Sequence, residues 1–497
     1  MLPDNVTRLI KQLNSQNICY LHWKSTEHLL AGLQGQTDLD ILLKKEHYEK
    51  FINCLIKCGY VHVRSIKWQT YPNVEDWIGY CPRTGIQTHV HLHTKLITGK
   101  PYVKEQYLPY DKLLLENRIK SEYGIYIVDP NIEIILLLIR TVIKQSLISP
   151  IPHNDKSFTF KKNVLKEYEY LKERIDRMEI ERYSSVMLPE NSDILISIIY
   201  ESVTNNRMRS LKRAILKQLS AERRSSHTYS SILSFFRYSY IKLRSLLHVP
   251  LRTKKKLFQN DGLIVALIGV DGSGKTTISN IIAKDFSWKM DFRYFYLGTG
   301  DGSASMLNRC LRKMSAAKKK KRSSNKKNSD PSYSRKQTPS GIKLLVMNFN
   351  SLINAREKYK SCKKMDALRK SGGIAITDRY PQMQFEGIND GVHITDTGIG
   401  LFSYLNKSFQ KKEKEYIKKA CLFAPDVVIK LTIPYEVSRM RKQDSSEETI
   451  RRKIDIINQL HFEGSKEFIV DNTSDIDTAV LAVKEIIWKN FFSPEMV

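Results

Sequence analysis

The sequence lacks any apolar run long enough to cross a membrane as a helix. A spanning helix needs roughly 18 or more consecutive apolar residues, and the longest candidate, 132–143, is shorter and contains Glu133 and Arg140. The first residues also lack the pattern of a secretory signal peptide, because charged residues from Asp4 onward interrupt the apolar positions. These absences favour a cytoplasmic protein.

Cysteine is sparse and has no pairing pattern. The seven cysteines are scattered, their number is odd, and no two form a C-x-x-C pair. Disulfide frameworks and cysteine zinc sites show regular pairs, so we expect reduced thiols. Cys54 and Cys58 lie at helical spacing, where buried core thiols are more typical than metal ligands.

Acidic residues are too few to balance the basic ones. The chain has 81 lysines and arginines against 52 aspartates and glutamates, a net charge of +29. This excess favours phosphate-rich partners, namely nucleotides, nucleic acid or an anionic membrane face, without choosing between them. Part of it lies in 309–336, which contains the run Lys318–Arg322. That segment can bury too little apolar area to offset its ordering entropy, so we expect a disordered basic insertion.

The most informative segment that is present is 269–276, which reads Gly-Val-Asp-Gly-Ser-Gly-Lys-Thr. It matches G-x-x-x-x-G-K-S/T, the Walker A phosphate loop. An apolar run, 263–268, precedes it and a helical pattern follows it. Strand, loop and helix in this order point backbone N–H groups and a helix N-terminus at phosphate. The residues expected to bind ATP are Gly269, Val270, Asp271, Gly272, Ser273, Gly274, Lys275, Thr276 and Thr277, with Lys275 on the terminal phosphates and Thr276 on Mg²⁺.

Later segments add candidate residues for phosphate chemistry. The apolar strand pattern at 372–377 ends in Asp378, where a carboxylate can hold Mg²⁺, often through water. Arg379 follows, and a guanidinium can bind an acceptor phosphate through two hydrogen bonds. A helical pattern ends in Arg441, and arginines on a mobile flap can stabilise charge on a transferring phosphoryl group.

These segments resemble the thymidylate kinase family of P-loop nucleoside-monophosphate kinases. The resemblance rests on the phosphate loop, on Asp378-Arg379-Tyr380, on the Pro-x-Glu-Val-x-x-x-Arg pattern ending at Arg441, and on strand order, and it covers 258–497. It implies a parallel sheet flanked by helices, with ATP and Mg²⁺ as cofactors. The catalytic residues that it implies are Lys275, Asp271, Asp378, Arg379 and Arg441.

The resemblance also implies individual roles. Asp271 would lie near the acceptor or the metal, and Arg379 would hold an acceptor phosphate. Arg441 and Arg451 would be lid or adenine-side arginines. Their neighbours Arg439, Lys442 and Arg452 stay open as alternatives.

Residues 381–391 depart from that family, which usually has small polar residues and an aromatic-glutamine pair there to shape a thymine pocket. The insertion at 309–336 is also foreign to a compact member. These departures leave open whether dTMP is the acceptor. The chain is similar to fusions associated with bacterial surface polysaccharide genes, which implies a phosphorylated or hydroxylated small molecule, glycan or lipid-linked acceptor.

Residues 1–128 predict an α+β domain with two acidic residues on one strand. Asp38 and Asp40 alternate in the strand pattern 37–43, which places both carboxylates on one face. Converging carboxylates can hold Mg²⁺ and with it a triphosphate. Together with the strand and polar turn at 18–25, this order resembles the nucleotidyltransferase fold of the DNA polymerase β superfamily, which transfers a nucleotidyl group and uses a third carboxylate from a nearby strand.

This N-terminal region departs from that superfamily in two ways. Lys24-Ser25 replaces the Gly-Ser of the first turn, and no third carboxylate is evident in the candidate strand 89–93. That strand carries three histidines on one face, and Glu75 or Asp76 could supply the carboxylate. The histidines could bind Zn²⁺ or could pack as ordinary core residues. A nucleotidyltransferase-like domain that binds without catalysis is the alternative.

Residues 129–257 predict a helical, basic middle region that begins at Pro130, a residue suited to a first helical position. Phe236, Tyr240, Leu243 and Leu247 lie at helical spacing among basic residues. This pattern is typical of a helix on an anionic membrane surface or of a helix packed on its neighbours with a basic solvated face.

Together these patterns indicate an α/β chain with a P-loop kinase-like domain at 258–497. The leading hypothesis is an ATP-dependent phosphotransferase fused to a nucleotidyltransferase-like domain, with peripheral contact at the inner membrane face. The alternative is a nucleic-acid-binding NTPase or defence-type switch that would use the net charge and the lysine run.

Overall fold

The computed structural model describes residues 2–65, 69–145, 151–247, 255–298, 341–400, 402–442 and 446–491. The chain divides into two compact units, Met1–Gln259 and Asn260–Val497. The predicted insertion at 309–336, the glycine-rich loop at 299–302, and two of the basic residues before the second unit, Arg252 and Lys254, lie outside the described residues.

The N-terminal unit combines a mixed sheet with a set of helices. Its helices are α1 (Asp4–Ser15), α2 (Leu29–Leu33), α3 (Tyr48–Lys57), α4 (Asp111–Glu116), α5 (Pro130–Lys144), α6 (Lys162–Lys172), α7 (Arg177–Met187), α8 (Ser192–Tyr200), α9 (Asn205–Gln218) and α10 (His227–Leu246). Its strands are β1 (Tyr20–His22), β2 (Asp38–Leu43), β3 (Tyr60–Arg64), β4 (Val74–Cys81), β5 (Ile86–His93), β6 (Ile97–Thr98), β7 (Gln106–Tyr107), β8 (Ile119–Lys120), β9 (Tyr126–Ile127) and β10 (Leu257–Phe258).

The main sheet of this unit has the strand order β10-β3-β4-β5-β2-β1-β9-β8. The central pair β2 and β5 is parallel, while β4 pairs with β5 and β1 pairs with β2 in antiparallel fashion. The predicted strands at 18–25 and 37–43 are therefore present as β1 and β2. The polar side chains of β2, β5 and β4 are brought side by side.

Helix α5 joins the sheet to the helical region. Its apolar residues surround the helix on all sides and are buried, as expected for a helix inside a core. One hydrophobic cluster contains α5, Leu21 and Leu42 of the sheet, and residues of α6 to α9. Residues 1–128 and 129–257, expected as two regions, lie in one compact unit, and the cluster that contains α5 includes residues of both.

The C-terminal unit is a parallel sheet flanked by helices. Its strands are β11 (Leu263–Gly269), β12 (Phe292–Phe295), β13 (Ile374–Thr377), β14 (Val427–Thr432) and β15 (Lys466–Asp471). Its helices are α11 (Lys275–Phe286), α12 (Ile342–Lys370), α13 (Ser403–Cys421), α14 (Tyr435–Arg441), α15 (Glu447–Gln459) and α16 (Ile476–Phe491).

The order β12-β13-β11-β14-β15 is parallel throughout. The predicted parallel sheet with flanking helices is therefore confirmed. Strand β11 lies at the centre and pairs with both β13 and β14. Because the strands are parallel, their carboxyl ends meet at one edge, which is where open α/β sheets bind ligands.

Among the described ranges, no helix has the combination of length and apolarity that a bilayer span requires. The predicted basic helix is present as α10, which buries Ser230, Ser231 and Ser234 and exposes large apolar residues, among them Phe236 and Leu243. Its buried face is thus formed largely by small hydroxyl residues.

Replacing Asp129 by alanine should lower the free energy of unfolding of the N-terminal unit by about 1 kcal/mol, the usual value of an N-cap. The Asp129 carboxylate accepts a hydrogen bond of 2.8 Å from the backbone N–H of Asn131 at the start of α5. Urea unfolding followed by circular dichroism measures the change. Glu169→Ala, at an exposed position of α6, is the control, and an equal loss in both variants would contradict the capping role.

Candidate functional site

The phosphate-loop sequence forms the predicted turn between β11 and α11. Gly272 and Gly274 have φ of 83° and 84°, a left-handed conformation that side chains with Cβ disfavour. A Cβ on Gly274 would lie 2.5 Å from Nδ2 of Asn472. That amide donates to the carbonyl oxygen of Ser273 at 2.9 Å. The loop thus needs glycine for its backbone conformation and for the close approach of a neighbouring segment.

Lys275 is buried at the first position of α11. Its ammonium donates to the carbonyl oxygens of Gly269, at 2.8 Å, and Val270, at 2.6 Å. Burial, together with the nearby Arg379 guanidinium, lowers the pKa of Lys275 to about 8. The predicted phosphate-binding cation therefore lies inside the loop, and a negatively charged phosphate there would favour its protonated form.

Thr276 and Asp378 meet because β11 and β13 are parallel neighbours with Ala266 opposite Thr377. The Thr276 hydroxyl donates to Oδ2 of Asp378 at 2.8 Å. Asp378 is 1% exposed, and its other oxygen has no hydrogen-bond partner in the described part of the chain. A hydroxyl beside a carboxylate with an unpaired oxygen fits the oxygen ligands that Mg²⁺ takes.

Tyr294 of β12 lies beside this pair. Burial and the nearby Asp378 carboxylate raise the pKa of its phenol, so the side chain stays neutral near pH 7. It adds no charge that would compete with a cation at Asp378.

One pocket opens at the phosphate loop. It has a volume of about 210 Å³, and its polar and aromatic lining includes Asp271, Lys275, Asp378, Arg379, Tyr380, Asn389, Asp390, His393, Lys453 and Phe462. Arg379 lies between two acids, with its guanidinium nitrogens 3.9 Å from Asp271 and 3.8 Å from Asp390. Arg379 and Asp271 are two of the catalytic residues predicted from the sequence.

Lys453 of α15 was not predicted. Its ammonium lies 2.5 Å from Oδ2 of Asp271. Burial opposes ionisation of Asp271, but Lys453 and Lys275 hold the pKa of its carboxyl below the usual range. Asp271 is therefore an anion in this pocket.

Asp390 was also missed. It lies in a loop where Asn389 and Asp390 have φ of 46° and 64°, a strained conformation for residues with Cβ. The Gln382 amide supports the loop by donating to the carbonyl oxygens of Phe385 and Ile388 at 2.8 and 2.9 Å. Residues 381–391 depart from the thymidylate kinase pattern in sequence. Part of this segment, 387–390, lines the pocket.

The Asp390 carboxylate pairs with the Lys358 ammonium of α12 at 2.8 Å, and both side chains are buried. Burial opposes its ionisation, but Lys358 and Arg379 hold the pKa of Asp390 below the usual range. No local pattern could have predicted this pair, because Lys358 precedes Asp390 by 32 residues in a different element.

A second pocket, of about 600 Å³, opens on the other side of the phosphate loop. Its lining consists of loop residues and residues after β15: Asp271, Gly272, Gly274, Lys275, Thr276, Thr277, Arg379, Arg441, Lys442, Asn472, Ser474, Asp475 and Ile476. The two pockets share Asp271, Lys275 and Arg379. They therefore meet at the phosphate loop.

The arginine candidates separate clearly. Arg441 lines the second pocket and donates to the carbonyl oxygens of Asn472 and Thr473 at 3.0 and 3.2 Å. Arg451 pairs with Glu447 at 3.0 Å and lies over the Tyr435 ring. Arg439, Arg451 and Arg452 line neither pocket, whereas Arg441 and its neighbour Lys442 both line the second one.

In the N-terminal unit, β2 and β5 align Asp38 with His89 and Asp40 with His91. His89 lies between two carboxylates, 2.8 Å from Asp38 and 3.0 Å from Asp76 of β4. Burial disfavours its charged form, but hydrogen bonds to both acids raise the pKa of His89. The predicted single face for the three histidines is confirmed, because their rings follow one another at 5.9 and 4.7 Å between centroids.

Asp40 is the centre of this acid–histidine cluster. Its Oδ1 lies 3.1 Å from His91 and 3.5 Å from His93, and the three residues are close enough to hold a metal ion together. The Lys24 ammonium lies 2.8 Å from the same oxygen. A metal ion on this oxygen of Asp40 would have to displace the Lys24 ammonium.

Asp76, rather than Glu75, is the third carboxylate that the register brings to this face. It stands opposite His91 across β4 and β5, and its Oδ2 pairs with the Lys256 ammonium at 2.7 Å. Glu75 accepts hydrogen bonds from Tyr48 and Trp77 instead. Both buried acids of the cluster therefore have lysine partners.

No protein-family model matches the chain. The chain is 27% identical over 225 residues to the Escherichia coli K12 protein YghS, and 24% identical over 220 residues to YghR of the same strain. Both are named as uncharacterized ATP-binding proteins; the matches cover 44% and 42% of this chain and 90% and 80% of those proteins. Among solved structures, thymidylate kinase from Candida albicans matches with 15% identity and a TM-score of 0.28, over 47% of this chain and 93% of that one.

Replacing Gly274 by alanine should destabilise the C-terminal unit by more than about 1–2 kcal/mol, the cost of a left-handed backbone for a residue with Cβ. The loss should exceed this cost because the new Cβ would lie only 2.5 Å from Nδ2 of Asn472. Gly464→Ala is the matched control, since Gly464 also has a positive φ but nothing within 4 Å of its Cβ position. Chemical denaturation measures both, and equal losses would contradict the close approach.

Stability of the N-terminal unit should fall as the pH drops from 6.5 to about 4. His22 is 2% exposed, and burial lowers its pKa from 6.5 to about 4. Its folded pKa lies below the unfolded value, so the unfolded chain binds the extra proton in this window. The pKa of His89 is raised, so protonated His89 stabilises the folded unit at pH 6.5 and below. That stabilisation is lost only as the pH rises above 6.5, outside this window.

Unfolding free energies measured at several pH values test this dependence. In His22→Gln the slope should decrease by up to about 1.4 kcal/mol per pH unit, the value for one proton. His153→Gln, at an exposed position, should leave the slope as in the unsubstituted protein. An unchanged slope in His22→Gln would show that His22 is not the titrating group.

Proposed function

We propose that the C-terminal unit is an ATP-dependent phosphotransferase of the kinase-like P-loop type. The observation that carries this proposal is the meeting of two pockets at Asp271, Lys275 and Arg379. Phosphoryl transfer needs a donor and an acceptor in line across a phosphate loop, with little covalent chemistry from the protein. The names of YghS and YghR as ATP-binding proteins support the same donor.

The larger pocket is the proposed ATP side. Backbone N–H groups of 270–276 and the N-terminus of α11 face the phosphates, and Lys275 leaves the loop carbonyl oxygens to contact the terminal ones. Arg441 lies beside the phosphate loop in this pocket, where it donates to the carbonyl oxygen of Asn472. Thr276 and Asp378 would hold Mg²⁺, which supplies neutralisation of phosphate charge when it is bound.

The smaller pocket is the proposed acceptor side. Arg379 lies within ion-pair distance of Asp271 and Asp390 and lines both pockets, so its guanidinium could contact an acceptor phosphate or the transferring group. Asp271 is ionised and can accept a hydrogen bond from an acceptor hydroxyl. This mixture of fixed cations and anions suits a phosphorylated or hydroxylated acceptor, whether a nucleotide, a sugar or a glycan.

For the N-terminal unit we infer a nucleotidyltransferase-like domain that binds without transferring a nucleotidyl group. Asp38, Asp40 and Asp76 supply three carboxylates on one face. Lys24 pairs with Asp40 and Lys256 with Asp76, and His89 bridges Asp38 and Asp76. Carboxylates neutralised in this way are poor ligands for two Mg²⁺ ions.

Lys275→Ala should reduce ATP-dependent phosphate transfer by about 100-fold or more, because the residue stabilises charge on the transferring group. Release of ADP in the presence of candidate acceptors, followed by a coupled assay, measures the rate. Lys284→Ala is the matched control, since Lys284 is an exposed lysine in the last turn of the same helix. Equal rates in Lys275→Ala and Lys284→Ala would exclude the proposed kinase activity.

Calorimetric titration with ATP and magnesium separates binding from transfer. The unsubstituted protein and Lys284→Ala should give the same heat of binding, while Lys275→Ala binds more weakly. Binding without transfer to any acceptor tested would retain the nucleotide site and reject only the choice of acceptors. Absence of binding in the unsubstituted protein would remove both.

A further inference from the structure

The N-terminal unit contains a large cationic cavity that the proposed kinase does not use. It has a volume of about 660 Å³ and lies between the turn after β1, the C-terminal half of α5, the start of α6 and one face of α10. Its charged lining residues are Lys24, Lys100, Arg140, Lys144, Lys161, Lys242 and Glu167. Six cationic groups therefore face one acid.

That single acid is already paired. Glu167 accepts a 2.8 Å hydrogen bond from Arg140 and a 3.1 Å bond from the backbone N–H of Ser25. The Arg140 side chain is buried, and its Nε has no hydrogen-bond partner among the described residues. Lys24 pairs with Asp40, which is not part of the lining. Lys100, Lys144, Lys161 and Lys242 face no other carboxylate of the lining, so basic groups outnumber acids in the cavity.

Lys104, which is not part of the lining, is a further basic residue near Lys24 and Arg140. It lies in a loop in which Tyr102 and Lys104 have φ of 63° and 52°. Burial and the neighbouring Lys24 and Arg140 lower the pKa of Lys104 to about 8, although Asp40 opposes the shift. A strained loop that holds a lysine against like charges costs stability, and bound anions relieve such repulsion.

The lining also offers hydroxyl donors and an apolar surface. Ser231 and Ser234 of α10 are buried and line the cavity, and the Ser231 hydroxyl has no hydrogen-bond partner in the described ranges. Phe158, Phe235 and Tyr238 line it as well. Hydroxyls and cations recognise phosphate oxygens, while the aromatic rings fit the organic part of a ligand rather than inorganic phosphate alone.

We propose that this cavity binds the phosphate group of a phosphate ester, with the apolar part of the ester on the aromatic residues of α10. The same helix exposes Phe236, Leu243 and Leu246, each by more than half. The ester is therefore either a soluble organic phosphate or a lipid headgroup reached from a membrane surface, and both carry the same recognised group.

Lysine labelling on the full chain, read by peptide mass spectrometry, tests the site. Because the labelling of each lysine is measured separately, a phosphate compound bound at the phosphate loop does not affect the readout for this cavity. The probes are phenyl phosphate, a soluble phosphate monoester with an aromatic ring, and vesicles of phosphatidylcholine with or without phosphatidic acid. Labelling of Lys144 and Lys161 should fall roughly ten-fold when the site is saturated, since a site filled at about ten times Kd is free about a tenth of the time. Labelling of Lys166, an exposed lysine of α6 outside the lining, should not change.

A charge reversal supplies the matched comparison. Lys144→Glu should abolish the protection of Lys161, and Lys166→Glu should retain it. Protection by phenyl phosphate supports a soluble ester, and protection only by vesicles with phosphatidic acid supports a lipid headgroup. Unchanged labelling with every probe, or equal protection of Lys166, would overturn the proposal whether or not the C-terminal unit transfers phosphate.

Discussion

Parallel pairing of β11 with β13 is the constraint on which the candidate site of the C-terminal unit depends. The phosphate loop follows β11 and Asp378 follows β13, so this pairing places them side by side. The Thr276 hydroxyl oxygen therefore lies 2.8 Å from Oδ2 of Asp378. Pairing of β11 with β14 on the other side brings α14 to the loop, where the Ser438 hydroxyl donates to the carbonyl oxygen of Asp271. The loop is thus fixed from both sides, and Lys275 is buried at its centre.

Charge pairing is the second feature that organises the molecule. Buried ions are costly unless they are paired and hydrogen-bonded, and both units satisfy this condition with lysines from distant elements. In the C-terminal unit Lys358 pairs with Asp390 and Lys453 pairs with Asp271. In the N-terminal unit Lys24 pairs with Asp40. The cationic cavity under α10 is the contrast, since its cations greatly outnumber its acids. An excess of this kind is more characteristic of a ligand site than of a structural network.

Much of the fold could be predicted from local patterns. The buried strands β11, β13 and β14, the left-handed glycines of the loop, and the alternation of Asp38 with Asp40 each follow from a few adjacent residues. The partners of the site could not be predicted in this way. Lys453 is 182 residues from Asp271, and the helical spacing of α15 does not distinguish it from Arg451 or Arg452. Only the packing of α15 beside the loop turns Lys453 toward Asp271 and Arg451 toward Glu447 and Tyr435.

The sequence by itself determined the phosphate loop, the strand that carries Asp378 and the acidic pair of β2, because backbone conformation and side-chain alternation are properties of neighbouring residues. The tertiary structure decided which ions are paired, that residues 1–259 form a single unit around α5, and that six cations line one cavity. Those outcomes depend on distances between elements far apart in the chain. Burial makes each such charge costly, and a charge can be matched only by the groups that folding brings within a few ångströms of it.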